Sequence, residues 1–139
     1  MFKKVLVAVD GSAANRAAIE VASQLAKDGA EMILINVIMP VSVRVGAGEP
    51  SPEESAKVLE DAAAAIKAAG GAMVKELQSY AGVKGPAHEI LEAARNESCD
   101  LIVTGNRGHS AWVGLALGGV SQRVLHHAPC PVLVVPGQD

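Results

Sequence analysis

The chain has 139 residues, half of them apolar, and a formal net charge of −3. That is enough apolar material for one buried core, and the length predicts a single domain over residues 1–139. Phe2, Tyr80 and Trp112 are its only aromatics, which together with the acidic balance argues against base-stacking modules and general nucleic-acid surfaces. No run approaches the roughly 18 apolar residues of a membrane span. The apolar stretch before Asp10 is too short for a signal sequence. The expectation is a soluble, cytoplasmic protein whose partners include neither membrane nor nucleic acid.

Lys4–Val9 is a short β-branched run that ends at Asp10-Gly11-Ser12, the pattern of a buried strand followed by a turn. Ser12 is placed to cap a helix whose inner face carries Ala14, Ala18, Val21, Ala22 and Leu25. Asp28-Gly29 ends that helix. Glu31–Ile38 is the second strand, and its continuous apolar centre fits burial on both faces, as in a parallel sheet. Pro40 stops it, and residues 39–52 read as a loop. Ser51-Pro52-Glu53-Glu54 then supplies a capping hydroxyl, a proline at the first helical position and acids in the first turn. An Ala-rich helix runs from there to about Ala69; its charged face of Glu53, Lys57, Glu60, Asp61 and Lys67 reads as solvated.

Gly70-Gly71 breaks that helix. Ala72–Tyr80 alternates poorly, with Val74 and Leu77 out of phase. A strand is favoured because two glycines inside one helix would cost roughly 1 kcal/mol each. Pro86 opens a helix with Ile90, Leu91 and Ala94 facing inward, and Asp100–Gly105 is a strand. Beyond a glycine-rich segment, a helix ends near His127, and Val132–Val135 forms a last strand between prolines. Cys99 and Cys130 match no zinc or redox motif. They read as thiols in a reducing compartment, and could pair only if the fold brought them together.

Strand-helix alternation repeated four times and closed by a strand predicts a parallel sheet with helices on both faces. Ligands of such sheets lie beyond the carboxyl ends of the strands, near the switch in strand order. Asp10, Val37 and Gly105 fall there by sequence. Gly105, Gly108, Gly114, Gly118 and Gly119 crowd the segment behind the fourth strand, as a loop does when its amides approach a phosphate. It is not an ordinary P-loop: Gly114, Gly119 and Ser121 fit the spacing, but Val120 stands at the lysine position. It is not a nucleophile elbow either, because Arg123 replaces the last glycine of G-x-S-x-G. The near-miss dinucleotide pattern at Gly46–Ser51 does not join a strand to a helix. No acidic residue lies between Asp100 and Asp139, a span that holds Arg107, His109, Arg123, His126 and His127. A helix starting near Gly118 adds amides and a dipole that favour anions. Adjacent His126 and His127 cannot chelate as an i, i+4 pair, so no metal site is expected. Arg107 and Arg123 read first as surface residues, and Trp112 as a packing residue.

What remains, Gly105-x2-Gly108-x9-Gly118-Gly119, closely resembles the nucleotide-binding branch of the universal stress protein family, which carries G-x2-G-x9-G-[ST]. "VLVAVDGS", "ILINVI", "GPAHEIL", "DLIVTGNRGHS" and "SQRVLHHAPCPVLVVP" extend the resemblance over nearly the whole chain. It implies an open five-stranded sheet of order 3-2-1-4-5, a Rossmann-like α/β fold, with ATP at the strand ends. Asp10 and Val37 would contact the adenosine, and Ala8 would line the base pocket. Gly105 and Gly108 would shape the loop over the nucleotide. The amides of Gly118, Gly119, Val120 and Ser121, with the Ser121 hydroxyl, would hold the phosphates, which in this branch can carry Mg²⁺ or Mn²⁺. The resemblance also implies a homodimer formed through the last strand. The family's Ser/Thr position is Gly119 here, a lost hydroxyl worth roughly 0.5–1.5 kcal/mol. Three functions compete: a regulatory module in stress response whose ATP-dependent state an unknown protein partner reads, a slow ATPase, and an interaction module with a decayed site.

Overall fold

The computed structural model describes residues 2–13, 15–39, 51–106 and 119–137. Strands β1 (Lys4–Ala8), β2 (Glu31–Ile38), β3 (Val74–Tyr80), β4 (Leu101–Gly105) and β5 (Val132–Val135) alternate with helices α1 (Arg16–Lys27), α2 (Pro52–Ala68), α3 (Pro86–Asn96) and α4 (Gly119–His127). The strands form one sheet in the order β3-β2-β1-β4-β5, and every pairing is parallel. The expected fold and strand order are both observed.

Alternate residues of the central strands point to opposite faces, and each face has its own core. Val5, Val7, Met32, Leu34, Leu101 and Val103 pack with α1 and α2. Leu6, Ile33, Ile35 and Ile102 pack with α3 and with Val124 of α4. This two-sided burial is why β1, β2 and β4 read as unbroken apolar runs rather than alternating ones. The poor alternation of β3 has a related cause. Val74 packs into the first core and Leu77 into the second, so the two apolar residues serve opposite faces of an edge strand.

The start of α1 differs from expectation. Ser12 is not its cap: the helix begins at Arg16, and Asn15 occupies the capping position without a side-chain cap bond. Ser12 instead closes a turn ahead of the helix, its Oγ accepting the Asn15 N–H at 3.2 Å. Polar groups of the Asp10–Asn15 segment bond one another there, which delays the helix by one turn. Ala14 lies outside the described residues. At α2, Ser51 accepts the Glu54 N–H at 3.3 Å and donates to the Glu54 carboxylate at 3.0 Å, so its cap forms where expected.

Two contacts fix the amino-terminal side of the sheet. The Asp100 carboxylate accepts the Lys3 and Lys4 N–H groups at 2.9 and 3.0 Å, while the Asp100 N–H donates to the Lys4 carbonyl at 2.9 Å. Asp100 thereby pins the start of β4 to the start of β1. Gly71 follows the sharp turn at Gly70, where φ is +107°. It passes so close to α1 and α2 that an added Cβ would lie 2.9 Å from Ala26 Cβ and 2.7 Å from Ile66 Cγ2.

Gly71→Ala is therefore expected to destabilise the fold by roughly 1–3 kcal/mol through overpacking, measured as a lower urea midpoint. Partial burial opposes the ionised Asp100, but the backbone N–H groups of Lys3, Lys4 and Asp100 itself hold the carboxyl below its ordinary value of 3.8. A folded-state pKa below the unfolded one contributes stability above the unfolded value, and that contribution is lost as pH falls through the folded value. Asp100→Asn should therefore unfold more readily than the parent protein at neutral pH, and the difference should shrink as acid protonates Asp100. Denaturation midpoints across the acid range check this; a difference that stays constant would overturn it.

Candidate functional site

β1 sits at the centre of the sheet between β2 and β4. The chain leaves β1 for α1, on the face of the first core, and leaves β4 for α4, on the face of the second. The helices that follow β1 and β4 thus lie on opposite faces of the sheet, so the carboxyl ends of these neighbouring strands mark the switch in strand order, where open α/β sheets hold ligands in a crevice. Ala8 is the last residue of β1, Gly105 the last of β4, and Val37 the second-last of β2. Ala8 and Val37 are half-buried against the second core.

The turn after β1 is built by Asn15. This buried side chain accepts the Asp10 N–H at 3.2 Å and donates to the Ala8 carbonyl at 3.1 Å. Ahead of the capping position of α1, which Asn15 occupies, stands Asp10. Its Oδ1 accepts both the N–H and the hydroxyl of Ser12, at 2.8 and 2.7 Å, an Asx-type turn that orients the carboxyl at the end of β1. A second buried amide, Asn36 of β2, donates to the Val9 carbonyl at 2.7 Å and accepts the hydroxyl of fully buried Ser55 at 2.5 Å. The β1 exit is thus tied at once to β2 and α2. The Asp10–Asn15 and Asn36–Ser55 contacts were not among the expected site features. Asn36 does leave a signal, as the one polar side chain inside the apolar run "MILINVI". Asn15 leaves none.

On the other wall, α4 begins over the end of β4. The Ser121 hydroxyl donates to the Gly105 carbonyl at 2.6 Å, and the residue is buried. Ser121 therefore stitches the helix to the strand. Its hydroxyl oxygen keeps acceptor capacity, but its donor is engaged. α4 is described from Gly119, so the amides of Gly119, Val120 and Ser121 belong to the first described turn, which contains no acid. Val120 packs against the second core, whereas Gly119 is exposed, with nothing within 4 Å of an added Cβ. Gly108 and Gly118 lie outside the described residues, as do Arg107, His109 and Trp112.

The cysteines lie at the other end of the strands. Cys99 precedes β4 and Cys130 precedes β5, both free and both within the second core. Burial, then the neighbouring Cys130, pushes the Cys99 thiol up to about 11. Burial and then Asp100 raise that of Cys130. Both are held as thiols at neutral pH and are poor nucleophiles. Among the described residues no group of three or more His, Cys, Asp or Glu side chains could hold a metal ion, and no helix is long and apolar enough to cross a membrane.

The profile of the Universal stress protein family matches residues 1–136. A Thermus aquaticus protein, the universal stress protein in the QAH/OAS sulfhydrylase 3′ region, is 39% identical over 138 residues, covering 97% of this chain and 99% of the relative. Universal stress protein YxiE of Bacillus subtilis is 32% identical, with 97% and 99% of the two chains covered. Among solved structures, that of hypothetical protein MJ0577 superposes with a TM-score of 0.84 at 26% identity, covering 100% of this chain and 99% of the other. A universal stress protein in complex with cAMP superposes at 0.76 with 28% identity, covering 99% of each. On the full-length match and these identities, the chain belongs to the universal stress protein family.

Proposed function

We propose that the protein is an adenine-nucleotide-binding regulatory module of stress response that holds ATP between the carboxyl ends of β1 and β4. The observation that carries this reading is the 2.6 Å bond from Ser121 to the Gly105 carbonyl. It seats the amide-bearing first turn of α4 beside the crevice, opposite the turn that Asp10 and Asn15 organise. Ala8, Asp10 and Val37 would take the adenosine. The loop of Gly105 and Gly108 with the amides of Gly118, Gly119, Val120 and Ser121 would take the phosphates. The family relative that carries cAMP supports the adenine class of ligand. Mg²⁺ or Mn²⁺ would ride on the phosphates, since the described residues offer no cluster of metal ligands.

The reading favours holding over turnover. Val120 stands where a P-loop places its lysine, so the usual cation on the terminal phosphates is missing. ATP would instead set the state of the site, which a partner protein reads in the cytoplasm. The chain would act as one domain, paired with a second copy along β5. That strand lies at the edge of the sheet and exposes Leu133, and an uncovered edge is a template for pairing.

The test begins with purified protein, denatured so that any bound nucleotide is released and identified by chromatography. Calorimetry with added ATP and product analysis over hours follow. ATP is expected to bind at one site per chain and to remain largely intact, and Asp10→Ala should weaken it about tenfold, or roughly 1.4 kcal/mol. Failure of the parent protein to bind ATP overturns the proposal. ADP accumulation that is abolished by substitution at the site would make the protein a slow ATPase instead. Because Gly119 has open space where a side chain would stand, Gly119→Ser should restore the family's hydroxyl without a clash and tighten ATP severalfold. Equal or weaker affinity would remove Gly119 from the account of affinity.

A further inference from the structure

The outer surface between α3 and α4 carries a cavity of about 360 Å³ lined by Lys84, His88, Leu91, Arg95, Arg123 and His127. Every lining residue except Leu91 has a basic side chain, and Leu91 forms a buried apolar floor. His88, Leu91 and Arg95 follow one stripe of α3, and Arg123 and His127 are four apart on α4, so both walls present cations along one groove. The guanidinium groups reach across it from opposite sides. Arg95 Nη2 donates to the His127 carbonyl at 3.4 Å, while Arg123 Nη1 comes within 3.9 Å of the position a Cβ would take on Gly85, in the loop ahead of α3. Gly85 has φ of +87°, a turn that suits glycine and sets Lys84 at the mouth. One carboxylate stands at the rim: Glu92 accepts from Arg95 at 2.9 Å, with both side chains almost half exposed. An ion pair that open to water is weak and readily exchanged for a stronger anion.

We propose that this groove is a second anion site, separate from the strand-end crevice, for a small soluble ligand carrying two or three consecutive phosphoryl groups. Guanidinium forks match phosphate oxygens in bidentate geometry. From His88 to Arg95 the helix rises on the order of 10 Å, the length of a short phosphate chain and too long for one phosphate to span. The volume falls in the range of small-ligand sites. No Phe, Tyr or Trp lines the groove to stack a base, and the net charge of −3 gives no general attraction for nucleic acid. The inference uses no residue assigned to the ATP site.

The probe is inorganic tripolyphosphate, titrated calorimetrically into the full chain with and without saturating ATP. With saturating ATP, which fills the strand-end crevice, one tripolyphosphate site is expected, with orthophosphate at least tenfold weaker. The double variant Lys84→Gln/Arg95→Gln should lose at least tenfold in tripolyphosphate affinity while its ATP affinity and circular dichroism stay at parent values. Arg123→Gln, a single exposed substitution, provides an independent loss of the same sign. Absence of tripolyphosphate binding at millimolar concentration overturns the proposal, as does competition with ATP for one site or parent-like affinity in the variants. If ATP fails to bind but tripolyphosphate binds and the variants lose it, the groove stands and the nucleotide reading falls.

Discussion

The structure depends on the burial of β1. This strand hydrogen-bonds to β2 along one edge and β4 along the other, and presents Val5 and Val7 to one core and Leu6 to the second, all three fully buried. No backbone group in such a position can be left to water, so each must be paired within the sheet. The ladder ends one bond past β1, with the Val9 N–H donating to the Ile35 carbonyl at 2.9 Å, but the need for partners does not. Side chains take over. Asn15 supplies the partner for the Ala8 carbonyl and the Asp10 amide, and Asn36 for the Val9 carbonyl. The candidate site is the place where main-chain pairing gives way to buried amides.

That substitution has a consequence for function. A loop held by a satisfied, buried polar network has few alternative arrangements, because breaking one bond strands its partner in a low-dielectric interior. Asp10 is therefore presented on a fixed turn, and Ser55 ties the same turn to α2 through Asn36. The opposite wall is built differently. Ser121 makes one short bond to Gly105, and past it Gly119 stands exposed with open space around it.

Much of the fold was legible because its signals are local and redundant. The strand runs, the Ser51 cap and the glycine breaks all agree with the structure, and even the out-of-phase Val74 and Leu77 make sense once each is assigned to a different face. The start of α1 was not legible. Ser12 has the chemistry of a cap, but Asp10, Ser12 and Asn15 bond among themselves first, and that competition depends on a geometry that sequence spacing does not encode. The network around Asn36 was missed for a related reason. A polar residue in a buried strand announces a need for partners without naming them, and Ser55 lies on a helix 19 residues away. Ala8, Asp10, Val37, Gly105 and Ser121 lie at one end of the sheet, whereas Gly108 and Gly118 fall outside the described residues.

The two ends of the sheet are finished by opposite means, and this sets where chemistry can occur. At the amino ends Asp100 clamps β1 to β4, and burial raises the pKa of both thiols there. At the carboxyl ends α4 starts, as described, with a first turn without acids, tied to β4 by Ser121. The same helix carries Arg123 and His127 on its outer face, toward α3. Because α4 is a nine-residue helix, a ligand on its first turn and one along its outer face would share a single short rigid element.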